Sequence, residues 1–294
     1  MTMHQHDALN HAEDPYAPFA LPEVAKFDDG IVQVKNGHLW YRDTGGAGET
    51  VVLLHAAAGS GLLWGYQLPA LARAGYRAIA YSRRGYVGSS ALDEDHPGSA
   101  VDDLQALVDA LGVGRFHLVG VAAGGWVAAD YAQSYPEQLL SLAVAGNPLG
   151  QTVGPIADLQ RRVRPKGWDA LPAWFRELSG GYCAACPEGL QKWIELNAIS
   201  LVNPEHHQDL YRTVQPARHS IGPESLDLLR MPVLLMGGAA DVYSPPAVIR
   251  MTAALVPHCE WMIAAEAGHS IYWERPALFN SVLIDFLARH PGGG

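Results

Sequence analysis

The stretch from Phe116 to Tyr131 limits the folds open to this chain more than any other. It reads Phe-His-Leu-Val-Gly-Val-Ala-Ala-Gly-Gly-Trp-Val-Ala-Ala-Asp-Tyr. The apolar run Phe116 to Val119 has the character of a buried strand. Gly120-Val121-Ala122-Ala123-Gly124 follows, and a helical pattern then runs to Pro136. Strand, Gly-x-x-x-Gly and helix outline a nucleophile elbow. There the glycines let backbone pass close by, and the central side chain projects from a sharp, strained turn. The central residue is Ala122, where a serine, cysteine or aspartate is expected. A methyl group cannot attack a substrate.

Around this stretch the hydrophobic pattern alternates between strand-like and helix-like periods. Ile31 to Val34 and His38 to Tyr41 read as short strands joined by a turn at Lys35-Asn36-Gly37. Thr50 to Leu54, β-branched and leucine throughout, suits a central strand buried on both faces. A helix is expected from about Leu63 to Ala74, a strand over Tyr76 to Tyr81, and a helix over Ala100 to Leu111. The last places Val101, Leu104, Leu107, Val108 and Leu111 on one face. A strand at Leu140 to Ala145 closes this half.

From Leu149 to about Ser225 the pattern changes to short helical pieces carrying Trp168, Trp174, Phe175, Tyr182, Trp193 and Tyr211. The alternation resumes with a strand at Met231 to Met236 and a helix at Pro246 to Leu255. A strand at Glu260 to Ala264 and a helix at Pro276 to Ala288 complete it. Such alternation implies an α/β fold, a mostly parallel central sheet flanked by helices. The expected organisation is an N-terminal extension (1–29), a core (30–148 and 226–294) and an inserted helical cap (149–225). A length of 294 residues accommodates this.

Composition narrows the partners. Thirty acidic residues against twenty Lys and Arg leave a formal charge of −10, which argues against a nucleic-acid backbone as partner. The longest nearly unbroken apolar run, Leu118 to Ala129, is too short to span a bilayer and carries glycines. Residues 1–30 are polar and acidic, without the apolar core of a secretory signal. Three cysteines, an odd count, fit a reducing cytoplasm. Cys183 and Cys186 form a Cys-x-x-Cys with no second ligand pair nearby, and read as ordinary loop cysteines. His4, His6 and His11 read as solvated tail residues. No metal or organic cofactor is implied, and the sequence does not fix whether copies of the chain associate.

Three loops carry the candidate chemistry, each after an expected strand, where open α/β sheets place their sites. The first is the elbow. The second, Met236-Gly237-Gly238-Ala239-Ala240-Asp241, offers a carboxylate; the third, Ala267-Gly268-His269-Ser270, offers an imidazole. Nucleophile position, acid, then histidine is the chain order of an α/β-hydrolase triad.

On these residues the chain resembles a capped α/β-hydrolase from about Ile31 to His290. His55 to Gly61 is similar to the family's His-Gly oxyanion loop, with Ala56 where glycine is usual. Arg84 to Ser90 is similar to its Arg-Gly-x-Gly-x-Ser stretch, with Val87 for the second glycine. Gly268-His269-Ser270 before Trp273-Glu274-Arg275-Pro276 resembles its histidine segment. The resemblance implies an oxyanion hole from the backbone N–H groups of Ala57 and Ala123, where alanine suffices because only backbone is used. It implies His269 as the base and Asp241 as the group that orients it. Asn147 stands where some relatives keep their acid, but it carries no charge. Among the aromatic residues of 149–225, Trp168, Trp174, Phe175, Tyr182 and Trp193 are candidates for contacting an apolar or aromatic ester or lactone.

Three readings of Ala122 stay open. The parent protein carries serine there and this chain is its inactive Ser-to-Ala form. Or the protein naturally lacks a nucleophile and uses His269 and Asp241 as a base dyad, as a lyase, cyclase or cofactor-free oxygenase would. Or the fold binds a ligand without turning it over. Ser-to-Ala is the smallest change that removes attack while sparing the packing, and this favours the first. Cleavage of a carbon–carbon bond uses the same parts. Halide displacement and epoxide opening fit less well, because those relatives carry aspartate at the elbow.

Overall fold

The computed structural model describes residues 5–6, 14, 16, 20, 27–93, 95–202, 215, 217–219 and 221–292; His4, His11 and Tyr211 lie outside them. In chain order its strands are β1 (Gln5–His6), β2 (Asp28–Val34), β3 (Gly37–Asp43), β4 (Thr50–Leu54), β5 (Arg77–Tyr81), β6 (Phe116–Val121), β7 (Leu139–Ala145), β8 (Val233–Gly238) and β9 (Cys259–Ala264). They form one sheet in the order β1-β9-β8-β7-β6-β4-β5-β3-β2. Only β3 runs antiparallel, to both β2 and β5; the other pairs are parallel.

The helices are α1 (Gln67–Arg73), α2 (Ala100–Ala110), α3 (Ala123–Ser134), α4 (Gly154–Val163), α5 (Ala173–Glu177), α6 (Gly180–Ala185), α7 (Pro187–Ile199), α8 (Pro223–Leu226), α9 (Pro246–Ala253), α10 (Ile271–Glu274) and α11 (Pro276–Ala288). None is long and apolar enough to cross a membrane among the described residues.

Why β4, β6, β7 and β8 are apolar at nearly every position follows from the period-2 geometry of strands, with helices on both faces. Val52 and Leu54 of β4 pack with Leu104, Leu107 and Tyr131 from α2 and α3. Val51 and Leu53 point the other way, into a core shared with Leu68, Leu283 and Phe286 from α1 and α11. The Ser99 side chain caps α2 by accepting from Asp102 N–H, with Asp102 and Asp103 favourably placed in its first turn.

Two expected elements differ in detail. The helix expected over Leu63 to Ala74 is split into a 3-10 turn at Gly61–Trp64, which Ser60 caps, and α1, with Gly65 between them. The hairpin strands are longer than expected. Val34 pairs with Gly37, so the turn is only Lys35-Asn36, with Asn36 at a φ of 61°.

The elbow explains its own glycines. A Cβ on Gly124 would lie 2.3 Å from the Leu54 carbonyl oxygen, and one on Gly120 would lie 2.7 Å from the Gly124 carbonyl oxygen. Both obstacles are backbone, which cannot swing aside. Gly120 lies inside β6, which runs two residues past the apolar run Phe116 to Val119. Gly124→Ala is therefore expected to cost about 1–3 kcal/mol, a fall in Tm of roughly 2–4 °C per kcal/mol for a chain of this size or somewhat smaller. Thermal unfolding checks this. An unchanged Tm would show that α3 does not sit so close to β4.

Between β7 and β8 the chain carries α4 to α8. This segment is tied to the rest at several points. Ser200 C=O accepts from Val87 N–H at 2.8 Å, Gln215 Nε2 donates to Asp103 at 2.7 Å, and Arg218 N–H donates to Asp130 at 2.8 Å. At the other edge, β1 extends the sheet beside β9, and Tyr16 donates its hydroxyl to Glu266 at 2.8 Å.

Candidate active site

Ala122 sits between the end of β6 and the first residue of α3 with φ 49° and ψ −115°. A residue with a side chain rarely adopts this conformation, and it persists only where its surroundings enforce it. Here Ala122 N–H donates to Ala145 C=O at 2.8 Å, and its own C=O accepts from Gly125 N–H at 3.0 Å and from Asn147 Nδ2 at 2.8 Å. Asn147 Oδ1 in turn accepts from Gly150 N–H at 2.7 Å. Asn147 thus pins the elbow and has no acid's part to play.

The acid and imidazole come from the ends of β8 and β9. His269 Nδ1 lies 2.8 Å from Asp241 Oδ2, and both residues are buried. Asp241 Oδ1 accepts from the N–H groups of Tyr243 (2.7 Å) and Ser244 (3.0 Å). One oxygen is held by backbone and the other is left for the imidazole, so Nδ1 carries hydrogen and donates it. Gly146 at φ 64° brings backbone against the ring, and a Cβ there would lie 3.0 Å from His269 Cε1. The Tyr243 ring packs on the imidazole with centroids 4.7 Å apart.

Electrostatics favour the protonated ring. Burial works against the charged form of His269, but the carboxylates of Asp241 and Glu177 outweigh it, and its pKa is pushed up to about 9. Glu177 is itself held above the usual carboxylate range by burial, partly offset by His269, Ser270 and Arg176. Burial also pushes Glu274 up to about 7, although it accepts from the N–H groups of Ser179 and Gly268, both at 2.9 Å. Glu274 so fixes the start of the histidine loop.

The candidate oxyanion donors lie on two elements. Ala123 is the first residue of α3, and its N–H belongs to the unpaired first turn of that helix. Ala57 lies in the loop after β4, which is braced from several sides. His55 Nδ1 lies 2.7 Å from Ala56 C=O and its Nε2 accepts from Arg83 N–H at 3.0 Å. These partners define a neutral His55, and burial holds its pKa well below the ordinary value. The Tyr86 hydroxyl donates to Ala57 C=O at 3.1 Å, and Asn197 Nδ2 donates to Ala58 C=O.

The five aromatic candidates fall into two groups. Trp168 packs on Tyr243 with centroids 6.0 Å apart, and Tyr243 lies on His269. Phe175 packs on Trp168 and Trp174 and is 49% exposed. Tyr182 and Trp193 are buried in the cluster that holds Trp273 and Phe279 and against which Ala122 and Trp174 pack. Glu177, Tyr243 and Glu274 enter the site without having been singled out as functional in the sequence. Glu274 alone had a local signal, its place in the segment after His269.

Comparison with known proteins agrees with this architecture. Residues 51–282 match the model of the "Alpha/beta hydrolase family". The chain is 31% identical over 254 residues to a Caulobacter protein named "Putative carbamate hydrolase RutD", with 82% of this chain and 91% of the relative covered. It is 28% identical to a 2-hydroxy-6-oxononadienedioate/2-hydroxy-6-oxononatrienedioate hydrolase of Paraburkholderia phymatum, covering 85% and 90%. The enol-lactonase from Burkholderia xenovorans shares the fold at a TM-score of 0.72 and 21% identity, covering 88% of this chain and 100% of the other. The chain belongs to the α/β hydrolase family.

Proposed function

We propose that the parent of this chain is a carboxylic-ester or lactone hydrolase of Ser-His-Asp type, and that Ala122 makes this chain its inactive form. The observation that carries the reading is the Asp241–His269 pair, hydrogen-bonded at 2.8 Å beside an elbow whose central residue is held at a φ of 49°. Backbone strain of this kind serves to present a side chain. A methyl group has no use for it. The hydrolase names of the relatives support the same class of reaction.

With a hydroxyl at position 122, His269 Nε2 takes its proton as oxygen attacks the substrate carbonyl, while Asp241 stabilises the imidazolium through Nδ1. The N–H groups of Ala57 and Ala123 receive the developing oxyanion. His269 then returns the proton to the leaving oxygen, and water repeats the sequence on the acyl intermediate. Residues 149–225 act as a lid, with Trp168, Trp174 and Phe175 on the substrate side favouring an apolar or aromatic group. The three free thiols support a cytoplasmic setting.

The chain as it stands is expected to be nearly inert toward p-nitrophenyl acetate and butyrate. Loss of the nucleophile in the subtilisin triad costs on the order of 10⁶ in turnover. Ester turnover at ordinary enzyme rates by Ala122-containing protein, free of contaminating esterase, would overturn the reading. Some other reaction abolished by His269→Ala would favour the base-dyad alternative.

A further inference from the structure

Arg176 and Glu177, consecutive residues at the end of α5, reach from the segment between β7 and β8 to the two loops that carry the acid and the imidazole. Arg176 Nη1 donates to the Tyr243 hydroxyl at 2.6 Å, and Tyr243 N–H is one of the two groups that hold Asp241. Glu177 meets the histidine loop twice. Its C=O accepts from Ser270 N–H at 2.9 Å, and its Oε2 accepts from the Ser270 hydroxyl at 3.1 Å. The Glu177 side chain is buried, with 5% of the residue exposed. A buried carboxylate facing one neutral hydroxyl is costly unless positive charge is close. The positive groups facing Glu177 are His269 and Arg176.

We propose that Glu177 is a positioning residue for His269, fixing the histidine loop through Ser270 and giving the imidazole a second buried carboxylate beside Asp241. This deepens the acid–base reading of the site and rests on it. The segment between β7 and β8 then does more than cover substrate. When α5 is seated, its carboxylate favours the proton on His269; when Glu177 is displaced, the ring becomes a freer base. The charged and titratable groups around the imidazole are Asp241 and Glu177, which favour its protonation, and Arg164, which opposes it. Tyr243 contacts both Arg164 and the imidazole, with the guanidinium 5.0 Å over its ring and the imidazole centroid 4.7 Å from its own. Arg176 acts on Glu177, and Glu274 feels Asp241.

The test is an NMR titration of the His269 ring, assigned as the signal lost in His269→Ala. It needs no turnover, so an inactive Ala122→Ser would overturn the ester reading and leave this proposal standing. In the unaltered chain the midpoint is expected at about 9. Glu177→Gln, which keeps the shape and removes the charge, should lower it by about one unit, and Glu177→Asp should restore part of the shift. A merely structural Glu177 would lower Tm and leave the midpoint where it was. The proposal is overturned if Glu177→Gln folds with an unshifted midpoint. It is equally overturned, with no variant needed, if the unaltered chain titrates at or below the ordinary histidine value of about 6.5.

Discussion

Ala122→Ser is expected to turn the chain into a working hydrolase, raising ester turnover by several decades and up to about 10⁶-fold, the size of the nucleophile's share in a comparable triad. The substitution adds one oxygen at a half-buried position whose backbone is already strained for it. Its packing cost should be small beside the gain. Because the base must be neutral to accept the hydroxyl proton, and His269 is held up at about 9, activity should climb with pH toward that value. The sign is fixed by the charges: a raised histidine pKa keeps the ring protonated, and inactive as a base, at neutral pH. Adding His269→Ala to Ala122→Ser should return the rate to background. An aryl, alkyl and lactone ester panel over pH 6 to about 10 reads all three effects.

Asp241→Asn, placed in the Ala122→Ser background, is expected to cost about 10⁴ in kcat, as the corresponding change does in the serine-protease triad. The reason lies in the two oxygens of Asp241. Oδ1 accepts from Tyr243 and Ser244 N–H groups, so an asparagine would keep its carbonyl oxygen there and turn its NH₂ toward His269 Nδ1. Two donors cannot face each other. The imidazole would move its hydrogen to Nε2, the atom that must take up the hydroxyl proton. The shape is nearly unchanged, so Tm should move little, which separates lost chemistry from lost fold. A loss under about tenfold would mean that Asp241 does not set the tautomer.

The site was legible in the sequence where it is written in local spacing. The elbow lies at the end of β6, and Asp241 and His269 lie in the loops after β8 and β9, where an apolar run stops. The sheet was legible for the same reason: β4 and α11 have the bounds that their patterns suggest. In the sequence Asn147 is only an uncharged residue at a position where some relatives keep their acid, with no role of its own. Its hydrogen bond to Ala122 C=O makes it a clamp. Glu177 could not be read at all. It ends a five-residue helix with no period to speak of, and its partner Ser270 lies 93 positions along the chain. Trp193 and Tyr182 show a further limit. Like Trp168 they are aromatics of the inserted segment, and the fold buries them in the cluster with Trp273 against which Ala122 also packs. Composition cannot distinguish a ring that waits for substrate from one that fills a helix interface.

Covalent capture tests the central claim most directly. Ala122→Ser is treated with a fluorophosphonate, which marks a serine only when a base activates it and an oxyanion site accepts the phosphoryl oxygen. Peptide mass spectrometry then locates the adduct. The account predicts one adduct per chain, at position 122, absent from the unaltered protein and from the double variant with His269→Ala. A folded Ala122→Ser that takes up no adduct, or takes it up at another serine, would contradict the account.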